Sequence, residues 1–187
     1  MAYVVVYDAC VLYPAPLRDF LLHLALSELF AAKWSDDIHE EWIGNLLEDR
    51  PNIAGKLERT RALMDEAVPD SLVIGYRDLI PALNLPDLND RHVLAAAIRC
   101  GAQAIVTFNL KDFPAETLDL YDTEAIHPDD FVAHQFCLRQ ERVLGAAKNH
   151  RASLKKPPKP VEAYLDTLAS QGLVKTASLL RPFSDLI

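Results

Sequence analysis

Cysteine is scarce in this 187-residue chain: Cys10, Cys100 and Cys137 are odd in number, widely spaced and free of any C-x-x-C arrangement. That excludes a disulfide framework and suits a reducing compartment; the bland reading of all three is small buried hydrophobes. The six histidines (23, 39, 92, 127, 134 and 150) include no pair three or four residues apart, which removes a helical H-x-x-x-H zinc site. No window approaches the roughly eighteen consecutive apolar residues of a membrane span. No basic leader or small-residue cleavage site follows the first methionine, so a cytoplasmic protein is expected. Positive charge is also in deficit, with 19 Lys and Arg against 27 Asp and Glu and a net charge of −8. Phosphate neutralisation by basic side chains drives most non-specific nucleic-acid affinity, so general adhesion to a polyanion is disfavoured. The deficit is compatible with a nucleic-acid enzyme only if acids bind cations and bases cluster elsewhere.

What is present is apolar bulk, half of all residues, enough for one domain or one domain with a small appendage. Tyr3 to Tyr7 (YVVVY) is an unbroken β-branched and aromatic run, the pattern of a strand buried on both faces of a parallel sheet. Leu17 to Trp34 carries apolar residues at helical spacing, and Ser35 with Asp36 and Asp37 caps a second helix to about Glu48. Pro51 to Val68 reads as a third helix, ended by the Pro69-Asp70 turn signal. Residues 71 to 85 are ambiguous. Val93 to Cys100 is a small-residue helix closed by Gly101, and Ala104 to Phe108 (AIVTF) is a second buried strand. Tyr121 to Ile126 suggests a last strand, and His127-Pro128 opens a further helix. From Lys148 to Pro160 the chain carries five bases, no acid and three prolines, which reads as an exposed linker before a final helix over about 161–180. The order predicts an α/β fold with a central, mostly parallel sheet flanked by helices, spanning 1–136. A helical extension follows over 137–187, its basic Pro-rich linker at 148–160.

Carboxylates recur where such folds bind ligands. Asp8 ends the first strand and the Thr107–Phe113 segment follows the second, so their polar groups emerge from one sheet edge. Asp36 and Asp37 are explained as helix-start acids. A helical wheel puts Glu40 and Glu41 on opposite margins of the buried stripe and does not choose between them. Of Asp87 and Asp90, before the small-residue helix, one is a cap; Asp90 is favoured as inward-facing because Val93, Leu94 and Ala97 follow it on the packed face, with Asp87 in reserve. Four separated segments thus offer oxygen ligands of the kind hard Mg²⁺ or Mn²⁺ prefers.

These segments, VVVYDACVLYP, SDDIHEEW, DLNDRHVLAAAI and IVTFNLKDF, resemble in order and separation the motifs of the PIN-domain family, specifically its VapC-like branch of bacterial toxin ribonucleases, over about residues 3 to 135. The resemblance implies a PIN-like three-layer fold and places the family's acids on Asp8, Glu41 and Asp90. Its fourth region falls on Asn109 and Asp112; Asn109 stands where many relatives carry aspartate. Thr107 is similar to the hydroxyl residue these proteins keep beside the site. It further implies Mg²⁺- or Mn²⁺-dependent hydrolysis of RNA, an antitoxin protein as partner and, in many relatives, a homodimer. Asp8, Glu41, Asp90 and Asp112 would be the catalytic and metal-binding residues, supported by Thr107, Asn109 and Asp87.

Two other strand-end acid chemistries fit less well. A haloacid-dehalogenase site resembles D-x-D, whereas Ala9 and Cys10 follow Asp8; a receiver domain wants a paired acidic start and a lysine after a late strand. The stronger rival is a catalytically silent PIN-like module that binds RNA or protein, since fold does not prove activity. The basic run has two readings as well, a solvated charge run or a contact for RNA phosphates.

Overall fold

The computed structural model describes residues 3–187. Strand β1 (Val4–Tyr7) leads into the short helix α1 (Ala9–Leu12) and then α2 (Ala15–Ala25). Strand β2 (Ala31–Ser35) precedes α3 (Asp36–Asp49) and α4 (Ala54–Ala67), followed by the two-residue strand β3 (Leu72–Val73). Helix α5 (Arg91–Cys100), strand β4 (Ala104–Val106), the one-turn α6 (Ala115–Leu118) and strand β5 (Glu124–Ile126) follow. Helices α7 (Pro128–Leu138), α8 (Gln140–Ser153), α9 (Val161–Ser170) and α10 (Val174–Leu180) complete the chain.

The five strands form one sheet in the order β3-β2-β1-β4-β5, every pair parallel. The predicted α/β architecture with C-terminal helices is what the chain adopts. Val5, Val6 and Tyr7 of β1 and all of β4 are fully buried, which is why neither strand alternates polar and apolar residues. The chain builds outward from β1 to one edge, then returns to place β4 on the other side of β1. The order therefore reverses between β1 and β4, the crevice where open α/β sheets bind ligands.

Two expected elements differ. The helix expected over Leu17–Trp34 stops at Ala25, and Ala31–Ser35 is a strand. The break falls at Glu28, a non-glycine residue in the left-handed region (φ 59°), so no Gly or Pro marks it in the sequence. The helix expected over 161–180 is two, parted at Gly172 (φ 88°). The basic run also begins earlier in regular structure than a linker would: residues 148–153 are the end of α8.

The chain forms two compact units, residues 1–13 with 30–126, and residues 14–29 with 127–187. The first contains the whole sheet. The second packs α2 against α8 and α9, and α7 against α8 and α10. Its α7 and α10 are joined by Asp129, whose Oδ1 accepts from the Thr176 amide and hydroxyl, each at 2.8 Å, and whose Oδ2 accepts from the Lys175 amide at 2.8 Å. Among the described residues no helix is long and apolar enough to cross a membrane.

Candidate active site

At the reversal point the carboxyl end of β1 delivers Asp8 and that of β4 delivers Thr107, both buried. The Asp8 amide donates to the Val106 carbonyl at 3.1 Å, so strand pairing continues into the site residue itself. Asp8 Oδ1 accepts from the Ala9 amide at 2.7 Å, and Oδ2 accepts from the Thr107 hydroxyl at 2.7 Å and the Cys10 thiol at 3.2 Å. Thr107 Oγ1 in turn accepts from the Asn109 amide at 2.9 Å, and the Phe108 amide donates to Cys10 Sγ at 3.3 Å. The carboxylate is thus held from both strand ends. Burial raises its pKa and Glu41 adds to the rise, while the Thr107 and Cys10 hydrogen bonds oppose it.

Glu41 comes from α3, whose start is fixed by Ser35: its hydroxyl accepts from the Ile38 amide at 3.2 Å. Asp36 and Asp37 are occupied by Arg61 and Arg77, each at 2.6 Å. The far side of α3 is locked by a buried polar chain. The Trp42 indole donates to His39 Nδ1 at 3.0 Å, which leaves the His39 proton on Nε2, directed to Asp65 at 3.0 Å. Asp65 also accepts from the Trp34 indole of β2 at 2.7 Å. With Trp34 and Trp42 fully buried, these bonds satisfy groups that would otherwise be costly and fix the rotation of α3. With that rotation Glu40 is exposed, whereas Glu41 Oε2 meets His92 Nε2 at 3.0 Å and acts on both Asp8 and Asp90.

Asp87 and Asp90 divide their tasks. Asp87 is exposed and caps the turn Leu88–Asp90, accepting from the Asn89 amide at 2.8 Å. Asp90 precedes α5 without a side-chain capping bond and is buried. Its pKa is pushed up to about 7, first by burial and then by Asp8, Asp87, Glu41 and Asp112. The charged groups that raise it most are all acids. Asp112, half-buried in the turn Leu110–Asp112, joins this field, while Asn109 is exposed and enters through its backbone amide.

Asp8, Glu41, Asp90 and Asp112 are therefore electrostatically coupled, Thr107 is bonded to Asp8, and Asp87 and Asn109 lie outside as a cap and a turn residue. Among the described residues no three His, Cys, Asp or Glu side chains close around a common point as an ion's ligands would. The donor set itself, carboxylate oxygens of Asp8, Glu41, Asp90 and Asp112, has the hardness that Mg²⁺ and Mn²⁺ select. Two neighbours escaped sequence reasoning. Cys10, whose thiol pKa is raised to about 12 by burial and by Asp8, is a hydrogen-bonding spacer between the strand ends and not a nucleophile. His92 braces Glu41 from the first turn of α5. The two-residue spacing Asp8-x-Cys10 and the Asp90-x-His92 step were the only signals.

Residues 4–111 match the PIN domain family, and residues 128–182 match a family described as the VapC50 C-terminal domain. Over 101 residues the chain is 42% identical to a protein of Mycobacterium tuberculosis (strain ATCC 25618 / H37Rv) named "Putative ribonuclease VapC50". That match covers 54% of this chain and 59% of the relative, less than two thirds of its length. No solved structure matches. With the PIN match spanning more than half of the residues, the chain belongs to the PIN-domain family.

Proposed function

We propose that this protein is a divalent-metal-dependent endoribonuclease that hydrolyses RNA phosphodiester bonds, acting as the toxin of a toxin–antitoxin pair. The observation that carries the reading is the set of carboxylates from four chain segments: burial, and then their repulsion, raises the Asp90 pKa to about 7. Stored repulsion of this kind costs stability, and a cation relieves it. Asp8, Glu41, Asp90 and Asp112 would hold Mg²⁺ or Mn²⁺, which when bound polarises the phosphate and lowers the pKa of water.

Each residue has a task in that reaction. Asp8, fixed by Thr107 and the Ala9 amide, presents an oxygen of constant position to the reacting phosphate's cation. Asp90 gives up its proton at neutral pH as the site is loaded. Glu41, oriented by His92, holds the charge balance opposite Asp8. Asp112, half-buried, would orient an attacking water. An antitoxin covering these acids follows from the same reading, since a toxin of this type needs a silencing partner.

The test is cleavage of a mixed RNA with added Mn²⁺. The reading expects endonucleolytic products that vanish with EDTA and with Asp8→Ala, the loss being at least about a hundredfold, as for removal of a directly acting group. A folded protein that binds RNA but leaves it intact under all metals would establish the silent binding module instead.

A further inference from the structure

The basic run left unassigned by the active site forms a defined structure. Residues 142–160 contain six of the chain's 19 bases and none of its 27 acids. Their last part lines a cleft of about 670 Å³, built from residues 153–160 and Ala163 alone. Lys155, Lys156 and Lys159 supply its charge, and Leu154, Pro157 and Pro158 its apolar wall. The cleft's volume falls within the range of ligand-binding pockets.

Its shape is held from several sides. Lys155 and Pro158 pair in an antiparallel bridge. The Arg151 guanidinium donates to the Lys159 carbonyl at 2.9 Å and to the Ile187 carbonyl at 2.8 Å, and Lys159 Nζ donates to Thr167 Oγ1 at 2.7 Å. Arg151 is thereby spent on structure. Lys155 and Lys156 remain exposed. Three prolines remove backbone freedom, so the ammonium groups sit on a scaffold ordered before any ligand arrives.

A nuclease whose reacting site is a cluster of acids repels its own polyanionic substrate, and the attraction must come from elsewhere on the chain. We propose that the Lys155–Lys156 cleft grips the backbone of single-stranded RNA, its lysines neutralising phosphates and its proline and leucine wall accepting base faces without regard to sequence. The choice of RNA rests on the ribonuclease reading. A positively charged groove that tracks the backbone is one half of the general design for single strands; the other half, aromatic stacking, is missing from this lining, so phosphate, not base, is the main contact.

The experiment uses the full chain carrying Asp8→Asn, in EDTA, with a fluorescein-labelled unstructured single-stranded RNA of about twenty nucleotides, titrated at several salt concentrations. Adding Lys155→Gln and Lys156→Gln should raise Kd by about tenfold at low salt and reduce the slope of log K against log salt by about 1.4, the share of two phosphates on a single strand. Thermal unfolding of the variant should match its parent because Arg151 and Lys159 are untouched. Unchanged Kd and slope, or no RNA binding by the parent, overturns the proposal, as does competition by polyglutamate equal to that by unlabelled RNA. With Asp8 restored, cleavage separates the two ideas. A chain that cleaves RNA but ignores the lysine pair removes the grip and keeps the nuclease. A chain that never cleaves, yet binds through the pair, does the reverse.

Discussion

Asp90 carries a cost in the acidic site. Its folded pKa of about 7 lies above the ordinary carboxylate value, so between those values the native chain holds a proton that the unfolded chain has released. Stability from this group is therefore present at low pH and lost as pH rises towards and through about 7. In EDTA, Asp90→Asn should unfold at a higher temperature than the unaltered protein at pH 8 and at nearly the same temperature at pH 4; a lower value at pH 8 would refute the repulsion. Asp8 was legible in the sequence because a strand end leaves a residue no choice of direction. Glu41 was not, because a helical wheel knows the apolar stripe but not the His39–Asp65–Trp34 chain that sets its rotation. Cys10 and His92 were missed for another reason: each acts through a carboxylate and has no motif of its own.

Helix α3 turns on its cap. Ser35 is the last residue of β2 and the N-cap of α3 at once, so one hydroxyl fixes both the end of a strand and the position of Glu41. Ser35→Ala should cost about 1 kcal/mol in urea unfolding, the usual value of a lost cap. It should also reduce the thermal stabilisation conferred by Mn²⁺; an unchanged metal response would detach the cap from the site. The long β1, α3, α4, α5 and β4 patterns were readable because burial period and capping agree there. Strand β2 was hidden because Leu26 to Phe30 continues the apolar spacing of α2 past the true break at Glu28. Strand β3, two residues long, has too little pattern for any period to show.

Across the molecule, two buried groups set opposite slopes. His150, in the second unit, is buried against Tyr164, whose hydroxyl lies 3.1 Å from Nδ1, and its pKa is lowered to about 4 by burial, then His23 and Lys159. Because the unfolded chain takes up a proton near pH 6.5 and the native chain does not, this stability is complete above that value and lost as pH falls to about 4. Asp90 acts in the other direction. The two windows overlap between about pH 4 and 6.5, so in the metal-free protein the slopes offset one another; His150→Gln should uncover the Asp90 term as a melting temperature that falls more steeply between pH 4 and 7, and an unchanged profile would contradict it. The second unit has one more property. Its α2, with Leu17, Phe20, Leu21 and Leu24 buried, is made early, but α8, which packs against it, is made more than a hundred residues later. During synthesis that greasy face leaves the ribosome before α8 exists to pack on it, so the sheet can assemble while the second unit waits for residues 140–153. A cell making this chain has an interval, set by translation speed, in which a chaperone or a bound partner meets a half-finished protein.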